Sequence, residues 1–210
     1  MKVAASAGEA GRAIREAGIG FLFAPAMHSA MRHAQPVRVA LKVRTVFNLL
    51  GPLTNPAGAD AQVVGAPSAH AAELMAGALA ELGLRRGFVV HGSDGLDEIT
   101  TTGPTLAYAI EGGEVRRLEL TPADFGVSYA RPEDLKGGDR KVNAGIAREV
   151  LSGALGPRRD VVLCNAAAAL VAAGLAASFA EGAAKAAESI DSGAAQAKLE
   201  ALIRCNAGGS

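Results

Sequence analysis

Apolar and polar positions along the middle of the chain predict strands and helices in alternation. Gln62–Gly65 and Gly87–Gly92 are short apolar runs of the kind found in buried strands. Between them lies an alanine- and leucine-rich segment, capped by Ser68 and running to about Leu82, with the composition of a helix. This order predicts a βαβ unit, and its crossover requires the two strands to be parallel.

The second half of the chain predicts a hairpin followed by helices. Leu106–Ile110 and Val115–Leu120 flank Glu111-Gly112-Gly113-Glu114, which has the glycines of a tight hairpin turn. The predicted helices are Asp139–Gly153, Arg159–Ala173, Ser178–Ile190 and Ala194–Ile203. The pattern therefore predicts an α/β fold with a parallel-containing sheet flanked by helices, and residues 1–210 are expected to form one domain.

The start of the chain predicts a helix and then a strand. Ser6 is a suitable N-cap with Glu9 three residues later, and Gly18 can end the helix in the left-handed conformation. Gly20–Ala24 is apolar and predicts a short buried strand that ends at Pro25.

Three patterns follow before the βαβ unit. His28–Leu41 predicts a helix that Pro36 must break or kink. Thr45–Leu50 is apolar and leaves the choice between helix and strand open. Gly51–Pro56 contains one glycine and two prolines, which predict a rigid loop. Such a loop either lines a small-molecule pocket or is an ordinary turn.

Composition narrows the class of protein. Half of the 210 residues are hydrophobic and a fifth are charged, the balance of a soluble globular protein. The 21 basic residues equal the 21 acidic ones, which argues against a general nucleic-acid binder. The apolar stretch Val161–Ala180 is mostly alanine and is interrupted by Asn165, so buried helices are expected and no membrane span.

The N-terminus and the cysteines predict the compartment. No apolar segment follows Met1, so no signal peptide is expected and the protein is predicted to be cytoplasmic. Cys164 and Cys205 have no metal-ligand or redox spacing, which favours reduced thiols.

Asp97 and Glu98 are the first candidates for chemistry. They follow a Ser-Asp-Gly turn at the end of the predicted strand Gly87–Gly92. In open α/β sheets ligands gather outside the carboxyl ends of strands, and paired oxygen ligands suit Mg²⁺. The alternative is that both are solvated loop charges.

Arg38 is the second candidate. It lies beyond the break at Pro36, and its guanidinium could bind a carboxylate in bidentate fashion, although most arginines are simply exposed. His28 and His33 are interpreted as structural, because no third metal ligand stands at a suitable spacing. Lys136–Asp139 resembles part of a phosphate loop but follows no clear strand, so a linker and an N-cap are predicted there.

Taken together, these residues resemble the anthranilate phosphoribosyltransferases. The most specific block is Val46-Phe47-Asn48-Leu49-Leu50-Gly51-Pro52-Leu53-Thr54-Asn55-Pro56. Further blocks occur in the same order as in that family: Gly18–Pro25, His28 with Arg32-His33 and Val37-Arg38, Val89–Gly92 with Gly95–Glu98, Asp124–Gly126, Asn165–Ala168 and Ile190–Gly193. The resemblance covers essentially the whole chain.

The resemblance implies a function and site residues. The implied reaction, in tryptophan biosynthesis, transfers a phosphoribosyl group from phosphoribosyl pyrophosphate to the amino group of anthranilate and releases pyrophosphate. Arg38 matches the arginine that meets the anthranilate carboxylate, and Asp97 and Glu98 match the carboxylates that hold Mg²⁺. The implied fold has a helical and an α/β domain, usually in a homodimer. Met31 stands where some relatives carry an aromatic residue near the anthranilate channel, and no general base is assigned.

The chain also departs from the family pattern. A Gly-Thr-Gly-Gly-Asp loop for pyrophosphate and a Lys-His-Gly-Asn segment, both upstream in the family, do not occur in the sequence. The chain is therefore expected to be a C-terminal part without the N-terminal helical domain, and to turn over anthranilate very slowly or not at all.

Two alternatives belong to other classes. A non-catalytic nucleic-acid-binding relative of the same fold is disfavoured by the zero net charge and by Arg38. A pyrimidine nucleoside phosphorylase shares the fold, but the Asn48–Pro56 run does not resemble that family.

Overall fold

The computed structural model describes residues 6–23 and 47–207, which fall into two compact units. Residues 6–23, 47–56 and 194–207 belong to the first unit, and residues 57–193 to the second. The helices are α1 (Ala7–Ala17), α2 (Phe47–Leu53), α3 (Ala69–Glu81), α4 (Arg140–Leu151), α5 (Pro157–Ala172), α6 (Phe179–Asp191) and α7 (Ala194–Ala207). The strands are β1 (Ala61–Gly65), β2 (Arg86–Gly92), β3 (Thr105–Glu111) and β4 (Glu114–Leu120), and short 3-10 helices span Pro122–Phe125 and Pro132–Leu135.

In the first unit, α1 packs against α7 through small side chains. Ala10, Ala13 and Ala17 recur on one face of α1 and are buried. The Ser6 hydroxyl accepts a hydrogen bond from the Glu9 amide at the N-terminus of the helix, and Gly18 ends it with a φ of 75°. The capped helix predicted from the sequence is therefore confirmed.

In the second unit, four strands form one mixed sheet in the order β1-β2-β3-β4. β1 and β2 are parallel and joined by α3, whereas β3 pairs antiparallel with both β2 and β4. The predicted βαβ unit and hairpin are both confirmed, as are the α/β class and the four C-terminal helices.

Strand β2 lies at the centre of the core. Phe88, Val89 and Val90 are all buried, and successive side chains of a strand point to opposite faces, so both faces of β2 are covered. Helices α3 and α5 both contact β2, and the Phe88 ring packs 5.4 Å from that of Phe179 in α6. This packing fixes the strand whose carboxyl end carries the candidate site.

The predicted strand at Gly20–Ala24 is wrong for its described part. Residues 20–23 form no strand, and Phe21 and Phe23 are 46% and 43% exposed with their rings 6.4 Å apart. A strand needs a neighbour to pair its backbone groups, and the described strands pair only with one another. The apolar run alone does not show whether a described strand is available to pair with it.

The predicted loop at Gly51–Pro56 begins later than expected. Gly51 and Pro52 lie inside α2, and the chain turns only from Thr54 onwards. The Leu50 carbonyl accepts hydrogen bonds from both the amide and the hydroxyl of Thr54, at 3.0 and 2.8 Å. These bonds close the helix around the proline, which cannot donate one itself.

Other predictions have plainer outcomes. Asp139 caps α4 by accepting hydrogen bonds from the amides of Lys141 and Val142, as predicted for the Lys136–Asp139 segment. Cys164 and Cys205 are both free thiols. Across residues 6–23 and 47–207, no helix combines the length and apolar character needed to cross a membrane. The predicted helix at His28–Leu41 lies outside the described residues.

Candidate metal centre

The candidate site is the loop Ser93–Pro104, called the 93–104 loop, which connects β2 to β3. It begins with a tight turn in which Gly95 has a φ of 92° and donates its amide to the Gly92 carbonyl at 2.9 Å. The Gly92 amide donates in turn to the carbonyl of Leu96 at 2.8 Å. The Ser-Asp-Gly turn that the sequence predicts at the end of β2 is therefore present.

Asp94 holds the two sides of the loop together. Its Oδ1 accepts from the Leu96 amide at 3.1 Å, and its Oδ2 accepts from the hydroxyls of Thr100 and Thr102 at 2.5 and 2.6 Å. Partial burial would raise the pKa of Asp94, but the hydrogen bonds from Thr100 and Thr102 outweigh it, and the pKa is lowered. Asp94 is therefore a structural carboxylate with its oxygens engaged inside the loop.

Asp97 is placed by a close approach of two backbones. A Cβ atom added to Gly65, at the end of β1, would lie 1.8 Å from the Asp97 carbonyl oxygen and 2.7 Å from its carbonyl carbon. Only glycine leaves this space. The carboxyl ends of β1 and β2 thus meet the 93–104 loop at Asp97, the residue that the sequence predicts to lie in the candidate site.

The side chains of Asp97 and Glu98 are exposed to solvent. Within the part of the chain that the structure describes, neither carboxylate takes part in a hydrogen bond or a salt bridge. Partial burial and the neighbouring charge of Asp97 raise the pKa of Glu98. Among the described residues no ion pair compensates the negative charge of Asp97 and Glu98, which a cation would offset.

The far side of the loop is anchored by Asn165 of α5. Its Oδ1 accepts from the Ile99 amide at 3.0 Å, and its Nδ2 donates to the Ile99 carbonyl at 2.8 Å. This role is not predicted from the sequence, where Asn165 stands out only as an interruption of an alanine-rich helix and as the start of the Asn165–Ala168 block.

The residues present fit Mg²⁺. Carboxylate oxygens are its preferred protein ligands, and it is commonly held by one or two carboxylates together with water and substrate phosphates. No group of three or more His, Cys, Asp or Glu side chains gathers into a cation site in residues 6–23 and 47–207. The described residues therefore offer an open carboxylate pair rather than a closed protein cage.

The other candidates cannot be placed beside this pair. Arg38, Met31, His28 and His33 lie outside the described residues.

Comparison with known proteins gives consistent matches. A family model described as the α/β domain of a glycosyl transferase family matches residues 1–196. The anthranilate phosphoribosyltransferase of Solibacter usitatus is 72% identical over 190 residues, which cover 90% of this chain and 56% of that protein. The anthranilate phosphoribosyltransferase of Syntrophobacter fumaroxidans is 55% identical over 204 residues, covering 97% of this chain and 60% of that protein. The chain thus spans somewhat under two thirds of the length of the curated relatives it matches.

Solved structures agree. The crystal structure of anthranilate phosphoribosyltransferase from Thermus thermophilus matches with a TM-score of 0.85 at 46% identity, covering 98% of this chain and 61% of that one. The Saccharomyces cerevisiae anthranilate phosphoribosyltransferase in complex with phosphoribosyl pyrophosphate (PRPP) and Mg matches with a TM-score of 0.82 at 34% identity, covering 90% of this chain and 54% of that one.

Proposed function

Because the chain belongs to the glycosyl transferase family that carries this α/β domain, we propose that it serves in the transfer of a phosphoribosyl group from PRPP to anthranilate. The observation that carries the proposal is the exposed carboxylate pair, Asp97 and Glu98, in the loop that follows the carboxyl end of β2. The similar proteins favour this reaction over nucleoside phosphorolysis and nucleic-acid binding, since they are named anthranilate phosphoribosyltransferases.

In this proposal Asp97 and Glu98 hold Mg²⁺. When bound, the ion supplies Lewis-acid stabilisation to the departing pyrophosphate. The two carboxylates contribute a fixed negative charge on an open loop, which leaves room for phosphate oxygens beside the protein ligands. The yeast protein solved with PRPP and Mg supports the choice of metal.

Arg38 is proposed to bind the carboxylate of anthranilate. The support is its match to the family arginine and the planar fork of the guanidinium, which can donate two parallel hydrogen bonds to one carboxylate. Held in this way, the aromatic amine would be presented to the anomeric carbon in a fixed orientation, a proximity effect. A homodimer, a cytoplasmic location and a single domain over 1–210 remain predictions.

A chimera tests the reaction. In the Solibacter usitatus relative, the 190 matched residues would be replaced by those of this chain, and loss of anthranilate fluorescence would be followed with PRPP and Mg²⁺. We expect turnover by the chimera and little or none by the 210-residue chain alone. A folded chimera without activity would contradict the proposal.

Single variants of the chimera test the assigned residues. Asp97→Asn and Glu98→Gln should each lower kcat/KM on the order of 100-fold, the scale of lost electrostatic stabilisation of a transition state. Glu114→Gln, which removes an exposed carboxylate at the opposite end of the sheet, beside the turn between β3 and β4, should have no effect. An equal loss in all three variants would refute the metal assignment.

Arg38→Lys keeps the charge but loses the bidentate fork. It should raise the KM for anthranilate by about 10- to 100-fold, the range for a lost charge-assisted hydrogen bond, and leave the KM for PRPP unchanged. A rise in both values would argue against a role confined to the acceptor.

A further inference from the structure

Asn165 occupies a position where its helix would be more stable with alanine. It lies in the middle of α5, beside the fully buried residues Cys164, Ala167 and Ala168. Asparagine has a lower helix propensity than alanine, and a polar amide in such surroundings is costly unless its hydrogen bonds are satisfied. The residue therefore calls for an explanation outside the helix.

The hydrogen bonds of Asn165 define its orientation. Nδ2 donates both of its protons to carbonyl oxygens, that of Ile99 at 2.8 Å and that of Val161 at 2.9 Å, while Oδ1 accepts from the Ile99 amide at 3.0 Å. If the amide were rotated by half a turn, Oδ1 would face two carbonyl oxygens and Nδ2 would face an N–H donor. Neither contact is a hydrogen bond, so a single orientation is possible.

This arrangement fixes one residue from both sides. The Asn165 side chain pairs with both the amide and the carbonyl of Ile99, so it holds the peptide planes before and after Ile99. A neighbouring strand would pair with these backbone groups in the same way. Ile99 and Thr100 are also buried, so the chain leaves the 93–104 loop at a fixed point. The carbonyl of Glu98 lies in the same peptide plane as the Ile99 amide, so fixing that amide also fixes the orientation of the Glu98 carbonyl.

Two immobilised backbone positions thus hold the carboxylate pair. Within the pair, the Asp97 carbonyl, which belongs to the peptide bond to Glu98, is set against Gly65 of β1. After it, Ile99 is bound by Asn165 of α5. Because the two negative side chains repel each other, a loose backbone would let them separate, whereas a fixed one keeps them ready to share a cation.

We propose that Asn165 is a positioning residue that holds the Asp97–Glu98 pair in its cation-binding arrangement through the two backbone groups of Ile99. The inference rests on the proposed function, because it takes the pair to be the metal site. Asn165 acts through the backbone and does not itself touch the metal or a substrate.

The test uses the 210-residue chain and Mn²⁺, a paramagnetic substitute for Mg²⁺ whose binding is read from its electron spin resonance signal without any catalytic assay. Asn165→Ala removes all three hydrogen bonds. Asn165→Asp keeps the size and the acceptor for the Ile99 amide, but turns an oxygen towards the carbonyls of Ile99 and Val161. Both variants should raise the Kd for Mn²⁺ by about 10- to 100-fold, the range for residues that orient metal ligands.

Asn143 provides a matched control. Its amide makes the same two-way contact with one backbone residue, accepting from the Gly138 amide at 2.8 Å and donating to the Gly138 carbonyl at 3.0 Å. Asn143→Ala removes an equivalent contact away from the 93–104 loop and should leave the Kd for Mn²⁺ unchanged.

The possible outcomes distinguish failure of this inference from failure of the proposed function on which it rests. If the unsubstituted chain shows no saturable Mn²⁺ binding that depends on Glu98, the metal role itself fails and the inference falls with it. If that binding is present but Asn165→Ala and Asn165→Asp bind as the unsubstituted chain does, only the inference is overturned. Loss of the native circular dichroism spectrum in both variants would also overturn it, because Asn165 would then be needed for the fold as a whole.

Discussion

Two connections in the same sheet are held in shape by different means. The turn between β3 and β4 is made by Gly112 and Gly113, whose φ values are 58° and 87°. The two strands pair with each other directly beside this turn. The 93–104 loop between β2 and β3 is held by side chains instead. One is Asp94, within the loop, and the other is Asn165, which binds the backbone of Ile99 from 66 positions later in the chain. A tight turn is thus specified by its own residues, whereas the 93–104 loop depends on distant parts of the unit.

Gly65→Ala should disrupt the 93–104 loop most severely. The added Cβ would overlap the Asp97 carbonyl oxygen, at 1.8 Å, so β1 or the loop must move. We expect the free energy of unfolding to fall by about 3 kcal/mol, the upper range for an overpacked site, as measured by urea denaturation. Mn²⁺ binding should weaken at the same time.

Gly77→Ala is the control for this substitution. Gly77 lies within α3, and a Cβ there would meet nothing within 4 Å. The same chemical change should therefore stabilise the protein by about 0.5 to 1 kcal/mol, because alanine favours the helix. Equal destabilisation by both variants would contradict the close approach at Gly65.

Gly113→Ala should destabilise the hairpin turn and leave the 93–104 loop unchanged. A Cβ there meets nothing, so the cost comes only from the φ of 87°. That cost is about 1 to 2 kcal/mol in the free energy of unfolding. The Kd for Mn²⁺ should not change, and a weakened Kd would show that the two connections are coupled.

Asp94→Asn should have a smaller effect that depends on pH. The pKa of Asp94 lies below its ordinary value of 3.8, because the hydroxyls of Thr100 and Thr102 favour the ionised form despite some burial. A carboxyl whose pKa is lowered by folding stabilises the protein above its ordinary pKa and loses that contribution as the pH falls through the lowered value. Unfolding measured from pH 7 down to pH 2 should therefore be less acid-sensitive in the variant, and identical slopes would refute this role.

Local signals explain what could be predicted from the sequence. The helix start at Ser6, the N-cap Asp139 and the glycine pair of the hairpin each depend on residues within a few positions of one another. The βαβ unit follows from alternating apolar segments in the same way. The position of Asp97 and Glu98 could be predicted because the end of a strand is a local feature.

Long-range contacts explain what could not. The apolar run Gly20–Ala24 has the pattern of a strand, but the sequence does not show whether a pairing partner exists. The extension of α2 through Pro52 is a local exception, in which Thr54 closes the helix on Leu50, four residues earlier. Gly65 and Asn165 act on the 93–104 loop from other elements, so their roles appear only when the chain is folded.

The central claim is that Asp97 and Glu98 bind the divalent cation used in phosphoribosyl transfer. The most direct test is Mn²⁺ titration of the 210-residue chain and of its Glu98→Gln and Glu114→Gln variants, each of which removes one exposed carboxylate. We expect saturable binding that Glu98→Gln abolishes and Glu114→Gln preserves. Binding that survives Glu98→Gln, or that both variants weaken equally, would contradict the claim.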